Sequence, residues 1–116
     1  MTKALITVNL STTAPQIAKM MEQGEIGAVL VKDSDNIVGI ITDRDFATKI
    51  AANNLSYDTP IAKIMSSPLI TIDHNKSISA AAEMMSKKKI RKLAVSENGR
   101  IVGLITSTDL VNQLAK

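Results

Sequence analysis

Ile37-Val38-Gly39-Ile40-Ile41-Thr42-Asp43-Arg44-Asp45 returns 64 residues later as Ile101-Val102-Gly103-Leu104-Ile105-Thr106-Ser107-Thr108-Asp109. Each version is a five-residue apolar run that suits a strand, followed by T-x-x-D, the pattern of a helix start with a capping box. Working outward in the same register, Leu5-Ile6-Thr7 recurs as Leu69-Ile70-Thr71 and Met20-Met21 as Met84-Met85. No gap is needed, so two copies of one supersecondary unit are expected to pack about a pseudo-twofold axis and enclose related clefts.

The unit reads β-α-β-β-α. Ile6 to Val8 is a short β-type segment. Thr13-Ala14-Pro15-Gln16 opens a helix with a Thr cap, Pro in the first turn and Gln at the capping-box position. Ala14, Ile17, Ala18 and Met21 follow at helical spacing and correspond to Ile78, Ala81, Ala82 and Met85. Gly24 and Gly27 bracket the helix exit, and Ala28 to Val31 is an apolar run suited to a buried strand. The turn clusters Asp33-Ser34-Asp35-Asn36 and Glu97-Asn98-Gly99-Arg100 then close a hairpin with the Ile37 and Ile101 runs. Phe46, Ala47, Ile50 and Ala51 supply the last helical face, matched by Leu110, Val111 and Leu114. The expected class is α+β, with a first repeat over 1–53, a linker over 54–60 and a second repeat over 61–116. Pro60 begins a short helix over Ile61 to Met65, whose counterpart would lie upstream of Met1. The chain therefore reads as a trimmed module or as part of a longer protein.

At 116 residues, two units of about 50 gain most by forming one domain. Apolar residues make up 45% of the chain, but with one Phe, one Tyr and no Trp the core is aliphatic. The absence of cysteine removes disulfides and thiolate chemistry and fits a cytoplasmic protein. No apolar run approaches the ~20 residues of a membrane span. The net charge is +3, with Lys87-Lys88-Lys89, Arg91 and Lys92 clustered. Such a cluster attracts phosphates or nucleic acid, or else simply answers the negative pole of a helix end. His74, the single histidine, has no His or Cys partner for a metal site and reads as an exposed loop residue. Met20, Met21, Met84 and Met85 read as adaptable core packing, with a dimer surface as the alternative.

With Met65 ahead of Ile70-Thr71-Ile72, the Met84-Met85 helix end, the hairpin and two closing T-x-x-D strings all in order, the chain resembles a tandem pair of cystathionine β-synthase (CBS) domains, a Bateman module. The resemblance implies a regulatory module that binds AMP, ADP, ATP, S-adenosylmethionine or methylthioadenosine in clefts between the repeats. It implies no catalytic cofactor, a homodimer and a regulated protein partner or attached domain. It also implies that Asp45 with Thr42, and Asp109 with Thr106, meet the ribose or phosphate of the ligand. A carboxylate accepts from both members of a vicinal diol, and a helix start offers backbone N–H groups to phosphate. The competing reading of both aspartates is a capping box alone.

Arg44 and the pair Arg91-Lys92 break the duplication, since their counterparts are Thr108 and Gly27-Ala28. In this family the start of the second repeat's middle strand reaches phosphates near the first repeat's aspartate. The Asp45 cleft is therefore expected to take a phosphorylated nucleotide, through Arg44 and one of Arg91 or Lys92. Ile6, Thr7, Ile26, Ile70, Thr71 and Ile90 flank the expected adenine slot, with plain core packing as the alternative. Nothing in the chain reads as an enzyme: there is no Walker-type loop, no metal-ligand spacing and no nucleophile beside His74. The alternatives are a nucleic-acid or protein-interaction module using Lys87–Lys92, for which aromatic stacking platforms are scarce, and a purely structural dimerisation module.

Overall fold

The computed structural model describes residues 5–67 and 69–114. Two compact units emerge: a first spanning Ile6–Leu69, and a second that runs from Ile70 and includes Leu5.

In the first unit, β1 (Thr7–Asn9) leads into α1 (Ala14–Gly24), then β2 (Ala28–Asp33) and β3 (Asn36–Thr42). β1 lies one residue beyond the expected Ile6–Val8. The sheet order is β1-β2-β3, with β1 parallel to β2 (Thr7 opposite Leu30) and β3 antiparallel to it (Ala28 opposite Thr42). The α1 start is built as its residues dictate. Thr13 N–H donates to Gln16 Oε1 at 2.9 Å and Gln16 N–H to Thr13 Oγ1 at 3.3 Å, which satisfies two amides that a helix start leaves without partners. Ala14 and Ile17 are buried and Met20 and Met21 pack against the same core, whereas Ala18 is exposed.

The second unit repeats this order in β4 (Thr71–Asp73), α3 (Ile78–Lys88), β5 (Lys92–Glu97), β6 (Arg100–Thr106) and α4 (Ser107–Leu114). Its sheet is β4-β5-β6 with the same parallel and antiparallel pairings. Even the ladder irregularity is duplicated, at Val31/Lys32 and at Val95/Ser96. Ser77 caps α3 through Ala80 N–H, and Ala81 and Met85 are buried. Ile78 and Ala82, expected on the same apolar face, are exposed, as is Val111 beside buried Leu110. Neighbouring helical positions point about 100° apart, so a two-residue-wide apolar stripe buries only one edge of itself.

Four features refine the sequence expectation or depart from it. The first concerns helix exits: between Gly24 and Gly27, which bracket the first exit as expected, the left-handed residue is Glu25 (φ 51°), and Lys89 (φ 57°) holds the same place in the second unit. Each cap amide reaches back into the last turn, from Glu25 to Met21 O and from Lys89 to Met85 O and Ser86 O. Second, the helix after β3 is short. α2 (Asp43–Asp45) passes at once into a π-helical turn, Phe46–Ala51, in which Ala52 N–H donates to Ala47 O at 3.0 Å. α4 at the corresponding place is an ordinary α-helix. Third, the short helix expected over Ile61 to Met65 is a single 3-10 turn, Ile61–Lys63.

The fourth feature is where that turn packs. Ile61 and Ile64, counted with the second repeat from sequence, are fully buried in the core of the first unit alongside Ile17, Val29, Val31, Ile41 and Ile50. Ser66 then joins the edge of β3: Ser66 N–H donates to Ile40 O at 2.9 Å and Ile40 N–H to Ser66 O at 3.2 Å. The segment 61–66 is a strap across the first sheet. Gly39 makes the crossing possible, because a Cβ there would lie 2.8 Å from Met65 Sδ and 2.9 Å from Ser66 O.

Candidate functional site

Both units end a hairpin strand on threonine and start a helix with aspartate three residues later. Thr42 is extended (φ −116°, ψ 164°), which aims its hydroxyl back at the new helix. Asp45 N–H donates to Thr42 Oγ1 at 3.3 Å, while Asp45 Oδ2 accepts from Thr42 N–H at 2.8 Å and from Thr42 Oγ1–H at 3.2 Å. In the second unit Thr106 N–H donates to Asp109 Oδ2 at 2.9 Å and Asp109 N–H to Thr106 Oγ1 at 3.2 Å. The capping boxes expected from T-x-x-D are thus present in both copies. Each leaves the other carboxylate oxygen, Oδ1, outside the box.

The two junctions share a further bond. Asp43 N–H donates to Gly27 O at 3.0 Å, and Ser107 N–H to Arg91 O at 2.9 Å. The residue before each middle strand is therefore stitched to the first turn of the closing helix. This places exposed Arg91 at the β6–α4 junction, and ladder pairing puts Lys92 directly opposite Thr106, on the same face of the sheet. Gly27 and Ala28 hold the equivalent positions in the first unit, with Ala28 opposite Thr42. Exposed Arg44 lies between Asp43 and Asp45, its amide bonded to Asp43 Oδ1 at 2.9 Å.

The two carboxylates sit in different surroundings. Asp45 is 6% exposed, the one buried polar or charged residue among those described, and Asp109 is half-buried. Asp45 Oδ1 lies 3.0 Å from Lys49 Nζ, and that ammonium also donates to Ile64 O at 2.7 Å and meets Ser66 Oγ at 3.5 Å. Lys49 was missed in the sequence, although an Asp–Lys pair at i, i+4 is a legible signal. The register puts Gln113 at its place beside Asp109.

The expected adenine-flanking residues occupy matched positions. Ile6 O and Ile70 O accept from Leu30 N–H at 3.0 Å and Ala94 N–H at 3.3 Å. Thr7 and Thr71 are exposed in the first strands. Ile26 and Ile90 follow the left-handed caps, each amide bonded to the preceding helix end, and are half-buried against their cores, as is Ile70. Of the lysine cluster, Lys87 pairs with Glu83 at 3.0 Å, both well exposed, and Lys89 is the helix cap. This is the chemistry of a solvated helix end. His74 is exposed between Asp73 and Glu97, 3.1 Å from Asp73 Oδ1. Among the described residues no group of three His, Cys, Asp or Glu could hold a metal ion, and no helix is long and apolar enough to cross a membrane.

This duplicated architecture has known relatives. The CBS domain family pattern matches twice, over residues 1–52 and 61–116. The CBS domain-containing protein YhcV of Bacillus subtilis is 32% identical over 116 residues, covering 99% of this chain and 83% of YhcV. The uncharacterized protein MK0525 of Methanopyrus kandleri is 37% identical over 110 residues, but this chain spans only 56% of it. Among solved structures, an uncharacterized conserved protein from Pyrococcus horikoshii superposes with a TM-score of 0.91 at 31% identity, covering all of this chain and 89% of that one. The CBS domain pair of protein MJ0100, solved in complex with 5′-methylthioadenosine and S-adenosyl-L-methionine, superposes at 0.85 with 28% identity, covering 99% and 91%. The chain belongs to the CBS-domain family and is a tandem pair of such domains.

Proposed function

We propose that this CBS pair is a regulatory sensor of adenosine derivatives. The observation that carries the reading is the doubled Thr–Asp junction, Thr42/Asp45 and Thr106/Asp109, on a fold shared with a domain pair that holds two adenosine compounds. Each capping box orients one carboxylate oxygen toward the backbone, and a ribose diol would meet the other, Oδ1, which at Asp45 is shared with Lys49 Nζ. Arg44, Arg91 and Lys92 are the cations offered to a phosphate or carboxylate on the same ligand, and Ile6, Thr7, Ile26, Ile70, Thr71 and Ile90 the flanks for adenine. The ligand acts as regulator and not as catalytic cofactor. It signals to an attached or partner protein through its unequal affinity for two states of the module, since equal affinity shifts nothing. A cytoplasmic homodimer is the setting that fits a cysteine-free sensor of this kind.

The test is titration of AMP, ATP, S-adenosylmethionine and methylthioadenosine, read by calorimetry and by melting. A ligand at about 100 times its Kd adds roughly 2.7 kcal/mol of stability. Asp109→Asn keeps an oxygen for the Thr106 amide but replaces the second acceptor with a donor, so it should lose adenosine binding at the second junction alone while still folding. Replacing Arg91 and Lys92 with Ala should weaken ATP more than adenosine. No stabilisation by any adenosine compound, together with salt-sensitive nucleic-acid binding that Lys87–Lys89→Ala abolishes, would overturn the reading in favour of a nucleic-acid module.

A further inference from the structure

The lone pairs of Asp45 are nearly all in use. A carboxylate offers about four acceptor sites. Two are taken at Oδ2 by the Thr42 amide and hydroxyl, and one at Oδ1 by the Lys49 ammonium. One site is left, whereas a vicinal diol that binds through both hydroxyls brings two donors. Lys49 in turn has its three protons committed to Asp45 Oδ1, Ile64 O and Ser66 Oγ. The two oxygens other than Asp45's belong to the strap.

We infer that Lys49 is a positioning residue that competes with the ribose diol for Asp45 and thereby couples ligand binding in the first unit to release of the strap 61–66. The inference rests on Asp45 being a ribose acceptor, as proposed above. When a diol takes Oδ1, Lys49 loses its charged acceptor, the partner that makes its bonding strong. A carbonyl and a distant hydroxyl do not hold a four-carbon chain against water and its own rotamer freedom. The side chain is 35% exposed, so the ammonium has a path outward, to solvent or to an anionic group on the ligand. The strap then keeps its buried Ile61 and Ile64 but loses the tether beside Ser66. The second unit has Gln113 in place of this lysine.

Amide hydrogen exchange on the whole chain tests this at two reporters, the Ser66 and Ile40 amides that lace the strap to β3. Without ligand, Lys49→Met should speed exchange at Ser66 about tenfold, as loss of one charge-assisted bond does. With saturating adenosine, wild-type Ser66 should also exchange faster, opposite in sign to the general protection a ligand confers, and the Lys49→Met protein should show no further change. In an Asp109→Asn background, which isolates the first unit, Lys49→Met should bind adenosine several-fold more tightly. Unchanged ligand-free exchange in Lys49→Met, or ligand protection of Ser66 in the wild type, overturns the inference. Absence of adenosine binding to either unit sinks the functional reading and the competition with it, while the ligand-free arm still decides whether Lys49 holds the strap. Were Lys49→Met not to fold, the wild-type arm stands by itself.

Discussion

Replacing Gly39 with alanine should destabilise the first unit by about 2–3 kcal/mol. The added Cβ would lie 2.8 Å from Met65 Sδ, 3.2 Å from Met65 Cγ and 2.9 Å from Ser66 O. The methionine end can swing away at little cost, because its thioether chain is adaptable. Ser66 O cannot, because the two reciprocal bonds with Ile40, at 2.9 and 3.2 Å, fix it in place. Overpacking of this kind costs roughly 1–3 kcal/mol, and each backbone bond stretched or lost about 0.5–1.5 kcal/mol more. Against this, alanine restricts the unfolded chain and recovers roughly 0.5–1 kcal/mol. Urea denaturation gives the difference from the midpoint shift at constant m-value. The Met65→Ala background sharpens it. If the backbone contact dominates, Gly39→Ala keeps most of its cost there, whereas a cost that vanishes would mean the side chain alone was in the way. A loss below about 0.5 kcal/mol in the wild-type background refutes the reasoning, since Ser66 would then have moved without penalty.

Three other outcomes follow from single contacts. Ile64→Ala empties a fully buried position and should cost about 2–5 kcal/mol, with the lost amide protection concentrated in β2 and β3 and not in β5 and β6. Lys89→Gly, and independently Glu25→Gly, should raise stability by roughly 0.5–1 kcal/mol in thermal melts, because each removes a side chain from left-handed backbone. Thr106→Ala removes the hydroxyl that accepts from Asp109 N–H and should cost about 1 kcal/mol, while Thr106→Ser restores nearly all of it.

The elements that sequence made legible are those governed by local chemistry. Thr13 with Gln16, Thr42 with Asp45 and the two-residue hairpin loops each state their structure within four residues. Alternatives were harder where a decision lay with distant groups. Gly24 and Gly27 bracket the first helix exit as written, but which residue between them turns left-handed is set by the bonds of the Glu25 and Ile26 amides to the Met21 carbonyl, which put the turn at Glu25. Ile78 and Val111 lie at helical spacing with buried residues, yet each falls on the outer edge of its stripe. At the candidate site, the duplicated threonines and aspartates could be found from the register of 64, and the capping boxes form as written. Lys49 escaped notice because its role depends on Ile64 O, fifteen positions away, in a stretch that reads as the start of the second repeat.

The strap also shifts the unit of inheritance and of engineering away from the unit of repetition. The matching patterns begin at 1 and 61, so a gene cut at residue 53 would appear to yield one whole repeat. Such a fragment would lack Ile61, Ile64 and the Ser66 bridge, and would leave the apolar face around Ile41 and Ile50 open to water. Fusions, domain swaps and single-repeat expression should therefore break the chain between Leu69 and Ile70, where the folded boundary falls. A module shuffled at the sequence repeat would carry its neighbour's core with it.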